Sequence, residues 1–198
     1  MANVNGAFGL QLVEDNSRTP LEICFIPSTD NTAIFVGDPV KTAGSSGSTA
    51  GGPKKKTVAQ CAATNPIYGV VQGFMQHWVS SGMDLGRRHR PASTAMYCLV
   101  KPANHQDVYR VQSDDVGGDL ADADIGLNAD FIVGSGNATT GMSGVQLDTS
   151  TKNTTATLSL KILGYDDKPS NQAGVTYQDV LVRLNNIELS GGTGTVGL

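Results

Sequence analysis

The chain has 198 residues, 24 of them Gly, with 39% hydrophobic and 16% charged residues and a formal net charge of −4. Such mild acidity argues against a general nucleic-acid binder, which usually carries a strongly basic face. No run of about 18 apolar residues exists to cross a bilayer as a helix, and the opening MANVNGAFGLQLVED lacks the basic and apolar regions of a secretory leader, so neither membrane nor signal peptide is expected.

Three Glu (Glu14, Glu22, Glu188) stand against fifteen Asp. Asp bonds its neighbouring backbone and favours caps and turns over helix interiors, so an all-β or β-dominated fold is expected. Cys24, Cys61 and Cys98 are too few and too far apart for a disulfide framework and read as buried small apolar residues.

In chain order, residues 1–18 (Met1 to Arg18) come first, rich in Asn, Gly and Asp. They read as an extended arm preceding a β-rich domain over 19–198. Phe8, Leu10 and Leu12 alternate, which suits strand addition along a neighbouring subunit. The same alternation leaves open a first strand of the domain itself. Short apolar runs follow: LEICFI to Pro27, TAIFV to Gly37, and IYGVVQGF after Pro66, each a strand signal. Between them Ala43 to Lys56, AGSSGSTAGGPKKK, reads as a mobile surface loop.

Ser80 to Ser93 is a second polar interruption, after which TAMYCLV and VYRVQS read as strands. Gly117 to Asp130, GGDLADADIGLNAD, suits one short helical turn or a structured loop. TATLSLKIL (Thr155 to Leu163) has period two, with Ala156, Leu158, Leu160 and Ile162 on one face. DVLVRLNNIEL repeats the pattern with Val180, Val182 and Leu184 inward, before a glycine-rich tail. Nine or ten strands at irregular spacing fit a sandwich or barrel. Ile34, Val36, Val70 and Leu99 complete the expected core.

Catalytic motifs are not found. Gly47 to Gly52 has phosphate-loop glycine spacing, but Pro53 stands where the Lys is needed. Gly134-Ser135-Gly136 opens like a dinucleotide loop, yet Thr139 replaces the third Gly. No G-x-S-x-G occurs, and His77, His89 and His105 lack metal-ligand spacing. A thiol activated by chance closeness of Cys98 and His105 is a remote option. The acidic stretch Asp114, Asp115, Asp119, Asp122, Asp124, Asp130 lacks the order of a calcium loop and reads as a solvated loop. Two basic clusters polarise the chain, Lys54-Lys55-Lys56 and Arg87-Arg88-His89-Arg90; they are either solvated charges or contacts to an acidic surface.

The opening ANVNGAFGLQLV, CFIPSTDNTAIFVGDPV, NPIYGVVQGF, RPASTAMYCLV, the run GGDLADADIGLNADFIVGSGNATTGMSGVQLD, TATLSLKILGYDDKP and VLVRLNNIEL together resemble a family of tailed-bacteriophage virion structural proteins, the head decoration or cement proteins. The resemblance covers most of the chain. It implies a jelly-roll-like β-protein on the capsid exterior, made in the bacterial cytoplasm and stapling neighbouring subunits. Its partners would be the major capsid protein and itself, as a dimer or trimer, without enzymatic activity or cofactor. Phe8, Leu10 and Leu12 of the arm, with Lys54, Lys55, Lys56, Arg87, Arg88 and Arg90, are the expected docking residues. The alternatives are a receptor- or carbohydrate-binding domain of a virion fibre or baseplate, which one Trp (Trp78) makes less apt, and a hydrolase with a spatially assembled acidic site.

Overall fold

The computed structural model describes residues 3–75, 77–79, 82–84, 87–192 and 194–197, with side chains left aside for 77–79 and 82–84. Strand accounts for 39% of the chain and helix for 5%. The expected β-dominated fold is therefore what the sequence builds. Met1 and Ala2 of the expected arm, and the side chains of His77 and Trp78, lie outside the description.

The strands are β1 (Gln11–Glu14), β2 (Glu22–Ile26), β3 (Pro39–Gly47), β4 (Lys55–Gln60), β5 (Gly69–Phe74), β6 (His77–Val79), β7 (Gly82–Asp84), β8 (Met96–Pro102), β9 (Val108–Gln112), β10 (Asn128–Ala129), β11 (Phe131–Gly134), β12 (Gly144–Leu147), β13 (Leu160–Tyr165) and β14 (Asp179–Leu184). Strands β2, β4, β3, β5 and β8 close into a barrel whose one parallel pair is β2 with β4. A five-stranded antiparallel sheet, in the order β1, β9, β14, β13, β10, forms the second body. The acidic stretch Gly117 to Asp130 holds one 3-10 turn at Asp122–Asp124.

Alternation decides what fills each body. Within the barrel, Cys24 and Ile26 of β2 and Cys98 and Val100 of β8 meet Val40, Val58 and Val71. A small barrel is filled by side chains in this way and leaves no channel. Tyr109, Val111, Leu160, Ile162, Val180, Val182 and Leu184 of the sheet pack with Phe131, Val145 and Leu147 of the β11–β12 hairpin, and with Ile67 and Val70. The two bodies are tied by backbone: a bridge joins Ile67 to Ile187, and the Glu188 carboxylate accepts from Thr42 N at 2.7 Å and Thr42 Oγ1 at 3.0 Å.

Several expectations need correction. Residues 3–18 are no free arm: β1 pairs with β9, and Leu10 is 1% exposed within the sheet's core. Its backbone N donates to Gly37 O at 2.9 Å. Gly9 and Gly37, at φ of 74° and 94°, let the two backbones cross; a Cβ on Gly37 would stand 2.9 Å from Phe8 O.

Ala43 to Lys56 is largely a β-hairpin, since β3 runs to Gly47 and β4 begins at Lys55. Its glycines serve close approach: a Cβ at Gly47 would overlap the Phe25 ring, and one at Gly52 would overlap Tyr97. The Ile34–Val36 stretch forms isolated bridges, to Arg90 and Met142, in place of a strand. Period two in TATLSLKIL holds only from Leu160; Thr155 to Ser159 turn, and Leu158 is half-buried. Val36 and Leu99 are also half-buried, because Met96, Cys98 and Val100 take the inner face of β8.

Candidate functional site

The nine expected docking residues divide by burial. Leu10 is sealed in the core, and Leu12 packs against it. Phe8 lies under the Arg110 guanidinium, 4.9 Å from its ring centre, and Arg110 pairs with Asp166 at 3.1 Å and bonds Gln11. All three apolar residues are thus engaged by the chain's own domain. Further ties hold the same segment: Asn3 Nδ2 donates to Gln172 O, Gly6 N to Gln112 Oε1, and Ser17 Oγ to Asp107.

Arg90 overturns its expected role most clearly. Its side chain is fully buried, with Nε donating to Thr94 O at 2.7 Å, Nη2 to Pro27 O at 2.6 Å and Asp30 O at 2.7 Å, and Nη1 to Thr32 O. Asp30 stands 3.7 Å from Nη1. Burial pulls the guanidinium pKa below its ordinary value, and Asp30 works against that. A planar fork with five donors suits this set of carbonyls as a point-charge ammonium would not. Arg90 therefore fixes the loops at one end of the barrel and cannot reach a partner.

Arg87 and Arg88 remain at the surface, half-buried and exposed, with Arg88 Nη1 3.4 Å from Thr139 O. Between them and Arg90, His89 stacks on Phe35 with ring centres 4.8 Å apart. Lys56 is drawn to the barrel mouth, where Nζ donates to Tyr68 Oη at 2.7 Å and stands 3.5 Å from Glu22. Tyr68 in turn donates to Glu22. Lys54 is exposed and Lys55 half-buried at the base of the hairpin tip.

The acids of Asp114 to Asp130 are largely structural, so the solvated-loop reading also changes. Asp114 accepts from Thr149 N at 3.0 Å and Oγ1 at 2.7 Å; Asp130 accepts from Ser159 N and Oγ; Asp124 pairs with Lys152 at 2.8 Å. Among the described residues no group of three or more His, Cys, Asp or Glu is placed to hold a metal. Burial pushes the thiols up, Cys24 to about 11 and Cys61 to about 12, with Cys98 also raised, opposite to the activation a nucleophilic thiol requires.

A cleft of about 610 Å³ lies where the N-terminal residues cross the 169–179 loop. Its polar groups are already engaged. Asn3 Oδ1 accepts from Gln172 N, Asn171 Nδ2 donates to Asp166 O and Asp179 O, and Tyr177 Oη donates to Asp115. They hold the cleft together and leave few donors for a ligand.

Sequence reasoning missed the outer face of the barrel. On β2 and β8, Ile23 faces Leu99 and Phe25 faces Tyr97 across the register. The hairpin tip covers the second pair: Tyr97 Oη donates to Pro53 O at 2.7 Å, and Phe25 is buried. Ile23 and its neighbour Leu21 stay open, at 38% and 47% exposure. TAMYCLV is apolar on both faces, and that was the available signal for a strand with two covered sides. Comparison of the chain with known protein families, with characterised proteins and with solved structures finds no match.

Proposed function

We propose that this protein is a structural component of a tailed-phage virion, a decoration or cement protein that seats on the capsid exterior and staples neighbouring capsid subunits without catalysis. One observation carries the reading beyond the sequence resemblance: the open apolar row of Leu21, Ile23 and half-buried Leu99 on the outer barrel wall, beside the hairpin bearing Lys54 and Lys55. An apolar centre with a polar, charged rim is how docking surfaces are built. The proposed partners are the major capsid protein and further copies of the chain, as a dimer or trimer. Arg87 and Arg88 form a second basic edge suited to an acidic neighbour.

The test is co-sedimentation of the purified chain with heads of the phage that encodes it, prepared without the chain. Wild type should pellet with heads. Ile23→Asp should stay in the supernatant while keeping its circular dichroism and melting temperature. Failure of wild type to bind, or undiminished binding by Ile23→Asp, would sink the proposal.

A further inference from the structure

On the solvent side of the five-stranded sheet is a recess of about 260 Å³ bounded by His105, Lys161, Arg183, Asn185 and Thr195. Lys161 of β13 and Arg183 of β14 are register partners, so their side chains leave the same face side by side. Like charges directly opposite in an antiparallel pair repel and destabilise the sheet.

Several cations of this acidic chain are matched with carboxylates: Lys56 with Glu22, Lys101 with Asp15, Arg110 with Asp166, Lys152 with Asp124 and Lys168 with Asp179. Lys161 and Arg183 stand side by side without one. Among the described residues neither has an ion-pair partner.

Donors are available and the wall is fixed. Lys161 Nζ makes one bond, to Val196 O at 3.2 Å, and no hydrogen bond from Arg183 is formed among the described residues. His105 Nδ1 lies 3.0 Å from Leu184 O. A carbonyl only accepts, so Nδ1 carries the proton and the ring orientation is set. Asn185 is 2% exposed; its Nδ2 donates to Ala156 O and Leu158 O, and its Oδ1 accepts from Thr195 N and Oγ1. The recess thus carries two cations and no lining acid, is lined also by Leu163 and Leu184, and is backed by a side chain that cannot swing.

We propose that this recess binds a phosphate group, with Arg183 and Lys161 as its ligands and His105 at its edge. Two cations in fixed register suit a dianion, which removes their repulsion. The volume falls below the ~300 Å³ at which sites for larger organic ligands begin, so a single phosphate fits and a nucleotide does not. The ligand is either inorganic phosphate or the head of a small phosphomonoester. This site is independent of the capsid reading, and either can fail alone.

The experiment is a thermal melt of the full chain at constant ionic strength, in chloride buffer and with rising inorganic phosphate or glycerol phosphate, alongside isothermal titration. Wild type should melt higher with ligand and bind saturably. Arg183→Gln and Lys161→Gln should each melt at or above wild type in chloride, because repulsion is gone, and lose at least tenfold in affinity. Phosphate also stabilises proteins by exclusion from their surface. An equal rise in wild type and both variants, no saturable heat with either ligand, or variants that melt lower in chloride would overturn the assignment. The tighter of the two ligands identifies the source.

Discussion

Replacing Arg90 with Met keeps most of the side-chain volume and removes every hydrogen bond its guanidinium makes. Of its four carbonyl partners, Pro27 O still accepts from Asp30 N and Asp30 O from Ser93 N, whereas no other bond is formed to Thr32 O or Thr94 O among the described residues. Two carbonyls are therefore left without a partner, at about 1–3 kcal/mol each. Relief from burying a charge opposes this loss, as replacement of whole buried ion pairs by apolar groups shows. Here the partners are fixed backbone carbonyls that no substitution at position 90 can remove, so the loss wins. A net destabilisation of about 2–6 kcal/mol is expected, a large share of the ~5–15 kcal/mol typical of a folded domain. At about 2–4 °C per kcal/mol for a chain of this length, the melting temperature should fall by roughly 5 to 20 °C. Urea denaturation should show a lower midpoint at unchanged slope. Arg90→Lys should also destabilise, because one ammonium cannot span the set. If Arg90→Met unfolds at the wild-type midpoint, the idea that Arg90 orders these loops is wrong.

Leu10→Ala should cost about 2–5 kcal/mol, as for other fully buried leucines, and removal of residues 3–13 should cost more; an unchanged melting temperature for either would restore the picture of an independent arm. Lys101 is 1% exposed, 2.5 Å from Asp15, 3.7 Å from the fully buried Asp107 and bonded to Thr19 O at 2.7 Å. Lys101→Met takes the countercharge from buried Asp107, which keeps its bonds from Ser17, so a loss of about 3–5 kcal/mol and faster amide exchange over residues 15–19 are expected. Burial raises the pKa of Asp38 above its usual value, against bonds from Ser143, Phe35 N and Gln60. The folded state then holds that proton where the unfolded state has released it, so Asp38's contribution to stability falls as pH rises from about 4 through the raised pKa. The difference in urea midpoint between wild type and Asp38→Asn should therefore change across that window, and a constant difference would refute the shift.

Strand segments were legible where one face only is apolar. Leu160 and Ile162 flank Lys161, Val182 and Leu184 flank Arg183, and these four lie inward with Val180 as expected, although Leu181 adds an apolar residue to the other face. Where both faces are apolar the phase is not written in the sequence. In TAMYCLV, Leu99 and Cys98 are equally good core residues, and only pairing with Cys24 across β2 settles which turns in. Isolated patterns also carry no information about distant carbonyls. Arg90 reads as one more charge in a basic run because its partners, residues 27 to 32 and Thr94, are assembled only by closure of the barrel. The Lys161–Arg183 recess was hidden for the same reason, since each residue alone is an ordinary solvent-facing position between two buried ones.

The place of β1 in the sheet has a consequence for synthesis. Gln11 meets Arg110, 99 residues further along, and the other neighbour of β9 is β14, which begins only at Asp179. At about 5–20 residues per second, the N-terminal strand leaves the ribosome roughly 5 to 20 s before its partner exists, and longer before the sheet can close. An apolar strand waiting that long would pair with other nascent chains. Asn3, Asn5, Gly6, Gly9, Asp15 and Asn16, which give the segment the look of an arm, interrupt its apolar residues and so oppose such pairing.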